Sequence, residues 1–403
     1  MNVIIKNIEL PSSKSESNRA LIINAYLPFR EIREIRGDEL VQNLSDAHDT
    51  QLLKHILETL GESETIDVED CGTAARFMLT FLACHEGRWL LTGTERMKQR
   101  PMQDLILSLR ELGADIQCVE KDGFLPVRIN GKPLKGGKIS VDVTHSSQFA
   151  SSLLLAAPTW PNGLELELKG ELNSLPYIDM TINMMRHFGA DVERTNRKVV
   201  VKPKNYVPKP FLVEPDWSAA SYWYEIAALS DDCDILLKNL SLQSPQGDVK
   251  MAEMAEKLGV QTIAEKDGLR LKKIPIFSGD FSFDFSNTPD LFPAVVATCA
   301  GLGIRAHFTG IKNLSAKESD RVGAMMTELS KTGTKMERIL EDELVMLPRL
   351  SEEFHCNNLK FNTYNDHRIA MALAPLRLKF GSIEINQPEV VNKSYPRFWD
   401  DFC

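Results

Sequence analysis

The chain has 403 residues, 43% hydrophobic and 26% charged, an ordinary globular composition with room for two or three domains. Its net charge of −9 argues against a nucleic-acid-binding surface, so any anion must be held by a few placed cations. No apolar run approaches bilayer length, the first residues lack signal-peptide features, and seven scattered cysteines without a C-x-x-C pair suggest free thiols, so a cytoplasmic chain is expected.

Val3-Ile4-Ile5 reads as a first strand, ended by Pro11. Ser13 and Glu16 then have capping-box spacing ahead of an apolar run from Ala20 to Leu27, with Lys14, Ser15 and Arg19 in the opening turns. A helix start carries unpaired N–H groups and partial positive charge, so cations and hydroxyls placed there suit phosphate or carboxylate. The theme recurs along the chain. Gly72, Thr73 and Arg76 open a second apolar helix. Arg100 precedes Pro101, which is expected at the first helical position before the stripe Met102, Leu105, Ile106, Leu109 and Leu112. Ser146-Ser147-Gln148 and Ser174-x-Pro176-Tyr177 open two more helices, and a hinge is expected near Val213–Ser218. In the second half Asp290 is expected to start the helix through Ala300. Ser315 and Glu318 form a second capping box around Lys317 and ahead of Arg321, and Thr363–Arg368 starts a further helix. Lys393 lies near the end.

A helix that ends in glycine and runs into an extended segment occurs six times, at Gly61, Gly113, Gly189, Gly259, Gly333 and Gly381. Glycine suits the residue after a helix because it takes a left-handed conformation without a Cβ clash. Six such units predict an internally repeated α/β architecture. Singly, each motif has a plain explanation: Asp290 as a cap, Lys317, Glu318 and Arg321 as a solvated face, His367 as a structural histidine, Cys71 as an incidental thiol. His48 and His145 show no metal-ligand spacing. Together, the charged and hydroxyl-bearing helix starts describe a pocket for a small ligand with several anionic groups.

The motifs Leu10-Pro11-x-Ser13-Lys14-Ser15, Cys71-Gly72-Thr73-Ala74, Arg100-Pro101-Met102 and Ser146-Ser147-Gln148 resemble those of the EPSP synthase family of enolpyruvyl transferases. So do Pro289-Asp290, Lys317-Glu318-Ser319-Asp320-Arg321 and Tyr364-Asn365-Asp366-His367-Arg368, in the same order. The resemblance implies an inside-out α/β barrel fold in two similar domains, each of three β-α-β-α-β-β units, with an active-site cleft between them. One domain would be 1–12 plus 217–403, the other 13–216. It implies transfer of the enolpyruvyl group of phosphoenolpyruvate to the 5-hydroxyl of shikimate 3-phosphate through a tetrahedral intermediate, without metal or organic cofactor. Lys14, Ser15, Arg19, Ser146, Ser147, Ser174 and Tyr177 would hold shikimate 3-phosphate, with Gln148 lying by both substrates. Gly72, Arg100, Arg321, Arg368 and Lys393 would serve phosphoenolpyruvate, and Lys317 would also bind substrate. Asp290 would accept the hydroxyl proton, while Glu318 and Lys14 would handle the methylene proton. A monomer without nucleic-acid or membrane partners is expected, as is inhibition by glyphosate, a mimic of bound phosphoenolpyruvate.

Several positions depart from the family pattern. Ser12 replaces a usual glycine, Asp70 a usual asparagine, and Ser315 a common arginine; the stretch after Gly61 is short by about a hairpin. Two other readings stay open. A transferase acting on UDP-N-acetylglucosamine would share fold and donor, but the segment from Arg96 to Pro101 lacks that family's active-loop cysteine. A non-catalytic phosphate-ligand-binding relative is the other, kept open by Asp70 and opposed by Lys14, Asp290, Glu318 and Arg368 together.

Overall fold

A computed structural model describes residues 2–27, 40–349 and 358–403. The chain forms two compact units, Met1–Ser12 with Glu214–Cys403, and Ser13–Val213. The changeover falls a few residues before the 216/217 boundary expected from sequence. The Asp216 N–H donates to Pro11 O (2.8 Å) and Ser12 bridges Pro215, which ties this stretch to the first strand.

Within each unit one supersecondary pattern repeats: strand, helix, parallel strand, helix, then an antiparallel hairpin. In the first unit Val3–Ile8 pairs in parallel with Asp232–Lys238, followed in the sheet by Gly268–Lys273 and then Val260–Glu265. Phe281–Asp284, Ala306–Thr309, Glu343–Leu347 and Lys335–Leu340 repeat the order. The second unit has two such sheets, one starting from Thr65–Asp67 beside Gly87–Thr92, the other from Gly137–Asp142 beside Leu164–Lys169. Each unit also holds one reduced copy, a parallel pair: Phe211–Leu212 with Val41–Gln42, and Leu359–Phe361 with Ile383–Ile385. The missing hairpin after Gly61 belongs to the first of these.

The six closing glycines all have positive φ, between 77° and 99°. Five end the second helix of a copy. Gly381 instead follows the first helical stretch of the last copy, ahead of Ile383–Ile385, so it is not the sixth equivalent.

Burial separates the two helices of a copy. The first is buried on nearly all sides, as in Gly72–Cys84, Ser147–Ala156, Trp217–Leu229, Phe292–Leu302 and His367–Leu373. The second is amphipathic: in Gln103–Glu111, Leu105, Ile106, Ser108 and Leu109 face inward. In each unit the three first helices pack on one another, with sheets and second helices outside, around a core of its own. The starts of these interior helices are therefore the natural places for polar groups, because every other part of them is enclosed by apolar side chains.

Trp217–Leu229 contains one exception. Glu225 is fully buried, and neither carboxylate oxygen has a hydrogen-bond partner among the described residues. Burial pushes its pKa well above the usual carboxyl range, so it folds as the neutral acid. A raised folded-state value means that folding binds a proton, so its destabilising effect grows as pH climbs above the unfolded carboxyl range. Glu225→Met is expected to raise unfolding free energy by about 1–3 kcal/mol and to flatten its pH dependence. Denaturant melts of both proteins at pH 5 and 8 check this; equal stability at both values sinks it.

Candidate active site

In the first unit, the candidate residues gather around one guanidinium. Arg321 starts the helix Arg321–Ser330 and its side chain is 1% exposed. Its Nη1 donates to Asp290 Oδ1 (2.8 Å), its Nη2 to Glu318 Oε2 (2.7 Å) and its Nε to Asp366 Oδ2 (2.9 Å). The other oxygen of Asp290 accepts from Arg368 Nη2 at 2.8 Å. Asp366 is anchored in turn: it caps His367–Leu373 by accepting from the Arg368 N–H, and it accepts from Ser319 Oγ. Burial alone would raise the Asp290 carboxyl, but Arg368, Arg321 and Lys317 outweigh it and hold Asp290 well below the usual range, ionised. The same carboxylates overcome the burial of Arg321 and keep it charged. Lys393 ends the turn Pro388–Lys393 and is buried.

Two local expectations are corrected here. Ser315 and Glu318 do not cap the helix: Ser315 lies in the preceding turn Lys312–Ala316, Glu318 turns to Arg321, and Asp320 is the cap, accepting from the Gly323 N–H. Asp290 is not a helix cap either. It sits in the turn Pro289–Leu291 ahead of Phe292–Leu302, with both oxygens committed to arginines.

In the second unit, Ser13 caps Lys14–Ala25 as its spacing requires. Lys14 Nζ donates to Asp49 Oδ2 (2.8 Å), a carboxylate from the start of His48–Glu58. Ser15 and Arg19 are linked: Arg19 donates to Ser15 O, to Thr181 Oγ1 (2.7 Å) and to Tyr177 O. It also stacks near the Phe77 and Tyr177 rings. Burial lowers the pKa of Arg19 to about 10 while leaving it charged at neutral pH. Arg100 lies on the backbone of Gly72, where a Cβ would come within 2.6 Å of Nη1. Pro101 is not helical. Its carbonyl accepts from Arg76, the Met102 N–H donates to Gly123 O, and the helix begins at Gln103. Ser146 caps Ser147–Ala156, and Gln148 Nε2 donates to Thr73 Oγ1 (3.0 Å), joining two helix starts. Ser174 precedes Leu175–His187 in a left-handed conformation with φ 57°, and Tyr177 lies in the first turn of that helix.

Two carboxylates, Asp49 and Asp248, escaped the sequence reading, and Asp366 entered it only as part of a motif. Asp49 holds Lys14, and Asp366 holds Arg321. Asp248, in the turn Gly247–Val249, is 3% exposed; its signal was a Gly-Asp pair just ahead of a helix. Beside Asp70, Glu69 holds φ 49° and its carboxylate lies 2.7 Å from His48 Nε2. Among the described residues no cluster of His, Cys, Asp or Glu is arranged to hold a metal, and no helix is long and apolar enough to cross a membrane. No disulfide joins the six described cysteines, and Cys356 lies outside the described residues.

Known proteins repeat this arrangement of sequence. The family model for EPSP synthase (3-phosphoshikimate 1-carboxyvinyltransferase) matches residues 62–402. A 3-phosphoshikimate 1-carboxyvinyltransferase from Bacteroides fragilis is 45% identical over 395 residues, covering 98% of this chain and 93% of that protein. Another from Haemophilus influenzae is 35% identical over 426 residues, covering 98% and 95%. In structure, an EPSP synthase from Acinetobacter baumannii superposes with a TM-score of 0.75 at 22% identity, covering 99% of this chain and 95% of that one. The enolpyruvyl transferase NikO from Streptomyces tendae gives 0.70 at 14%, covering 99% and 93%, a likeness of fold. The expected inside-out α/β fold is the fold of these neighbours, and the chain belongs to the EPSP synthase family.

Proposed function

We propose that the ion cluster of Arg321 and the helix-start groups of the second unit carry out the reaction of this family. That reaction is transfer of the enolpyruvyl group of phosphoenolpyruvate to the 5-hydroxyl of shikimate 3-phosphate, with release of phosphate. The observation that carries the assignment of roles is Asp290, ionised and bridged by Arg321 and Arg368.

In this reading Asp290 accepts the 5-hydroxyl proton as the oxygen attacks the donor's C2. A proton adds at the methylene carbon from Glu318 or Lys14, giving the tetrahedral intermediate. Its collapse returns that carbon's proton to the same groups and expels phosphate. Arg100, Arg321, Arg368, Lys317 and Lys393 bind the donor, whose carboxylate suits a planar guanidinium. Gly72 leaves Arg100 room to lie against the backbone. Lys14, Ser15, Arg19, Ser146, Ser147, Ser174 and Tyr177 bind shikimate 3-phosphate, and Gln148 contributes beside them. The preset cations and helix starts stabilise negative charge without reorganising. The enzyme works in this reading as a cytoplasmic monomer without nucleic acid, in keeping with its acidic charge of −9.

Phosphate release from phosphoenolpyruvate, assayed with shikimate 3-phosphate or UDP-N-acetylglucosamine as acceptor, tests the assignment. Release is expected with the first acceptor alone, and Asp290→Asn is expected to lower kcat by about 10²–10⁴-fold. Release with the sugar nucleotide, or with neither acceptor, rejects the reading.

Gly72→Ala tests the donor site separately. Its Cβ displaces the Arg100 guanidinium, so KM for phosphoenolpyruvate should rise about tenfold, the worth of one charge-assisted contact, and inhibition by glyphosate should weaken in parallel. An unchanged KM would separate Arg100 from the donor.

A further inference from the structure

Asp248 is a buried titratable group that the reaction described above leaves unused. It lies on the turn Gly247–Val249, packed against the helices Trp217–Leu229 and Lys250–Lys257. Its Oδ2 accepts from Ser218 Oγ at 2.5 Å, while Oδ1 is buried with no hydrogen-bond partner among the described residues. The charges that face it are Asp290, Arg368 and Asp216, the cap of Trp217–Leu229. Glu225 on that helix is neutral, and Lys250 and Glu253 on the following helix pair with each other in solvent. Burial, reinforced by the nearby Asp290 carboxylate, pushes Asp248 up to about 7, against the opposing effects of Ser218 and Arg368. Two carboxyls in one enclosure do not readily both ionise, and Asp290, bridged by two arginines, is the one that stays charged.

We propose that Asp248 is a positioning residue: a buried carboxylic acid that holds its proton through the lower part of the working pH range, and whose ionisation weakens the hold of Arg368 on the anionic donor. The proposal rests on the transferase reading. With Asp248 protonated, Arg368 keeps its contact with the Asp290 carboxylate. Once Asp248 loses its proton, a second negative charge faces Arg368 and opposes an incoming carboxylate or phosphate.

Asp248→Asn keeps the shape of the protonated acid and cannot ionise. In the wild type, KM for phosphoenolpyruvate should rise relative to this variant by about fivefold between pH 6 and 8.5, with kcat changing less. Ionisation of the substrate phosphates affects both proteins alike and cancels in the ratio. Ser218→Ala, which removes the hydrogen bond that favours the ionised form, should move the rise to higher pH. Parallel KM curves for wild type and Asp248→Asn would overturn the proposal.

Unfolding stability gives a readout independent of turnover. A folded-state value above the unfolded one means that the wild type should lose stability relative to Asp248→Asn as pH climbs from the ordinary carboxyl range to about 7, and no further above it. A constant difference across that range would show that Asp248 holds no such proton and would also overturn the proposal. Absence of turnover in both proteins would reject the transferase reading instead, with the stability curves still deciding the state of Asp248.

Discussion

The buried guanidinium of Arg321 is the constraint on which the first unit's functional groups depend. Three carboxylates from three separate segments converge on it, and their charges offset the burial of the guanidinium. Removing one partner of such a cluster leaves an uncompensated charge, typically at a cost of about 3–5 kcal/mol. The cluster therefore fixes geometry and protonation together. Asp366 ties Arg321 to the cap of His367–Leu373, which places Arg368, which in turn holds the second oxygen of Asp290.

This arrangement creates a tension that the proposed chemistry must use. A carboxylate held ionised by two arginines is a weak base, whereas Asp290 is assigned a proton. An anionic donor resolves the conflict if it competes for Arg368 and Arg321. As the guanidinium contacts are shared, Asp290 loses part of its stabilisation and its basicity rises when a proton must be taken. The second unit shows the same economy: Lys14 is held by Asp49, and Arg19 by carbonyls and a hydroxyl, so their charges are positioned before any ligand arrives.

Much of this was legible in the sequence because glycine, serine and charge at helix starts are local signals. Ser13 and Ser146 cap the helices that their spacing announced, and all six closing glycines take positive φ. The failures came where tertiary partners outcompete local ones. Glu318 has capping-box spacing with Ser315, yet a buried guanidinium is a stronger partner than a backbone N–H, so Asp320 takes the cap. Pro101 looked like a first helical residue, but its carbonyl is engaged by Arg76 and the next N–H by Gly123 O. Asp49, Asp248 and the role of Asp366 were hidden for a related reason. A lone carboxylate announces nothing until the fold supplies the cation or the burial that gives it a role.

The repeat explains why the candidate groups stand where they do. Every copy places its first helix inside and its sheet outside, which leaves only the helix starts of the interior free of apolar enclosure. Lys14, Gly72, Ser147, Trp217 with its cap Asp216, and His367 beside Arg368 occupy those starts, while Asp290 sits in the turn before the sixth. The reduced copies keep this logic. Both have lost or lack a hairpin, yet both retain the interior helix, and these two helices carry Lys14 and Arg368. The hairpins extend a sheet at its outer edge and can be shortened at modest cost; the interior helices cannot, because each one contributes both a third of a core and a charged end.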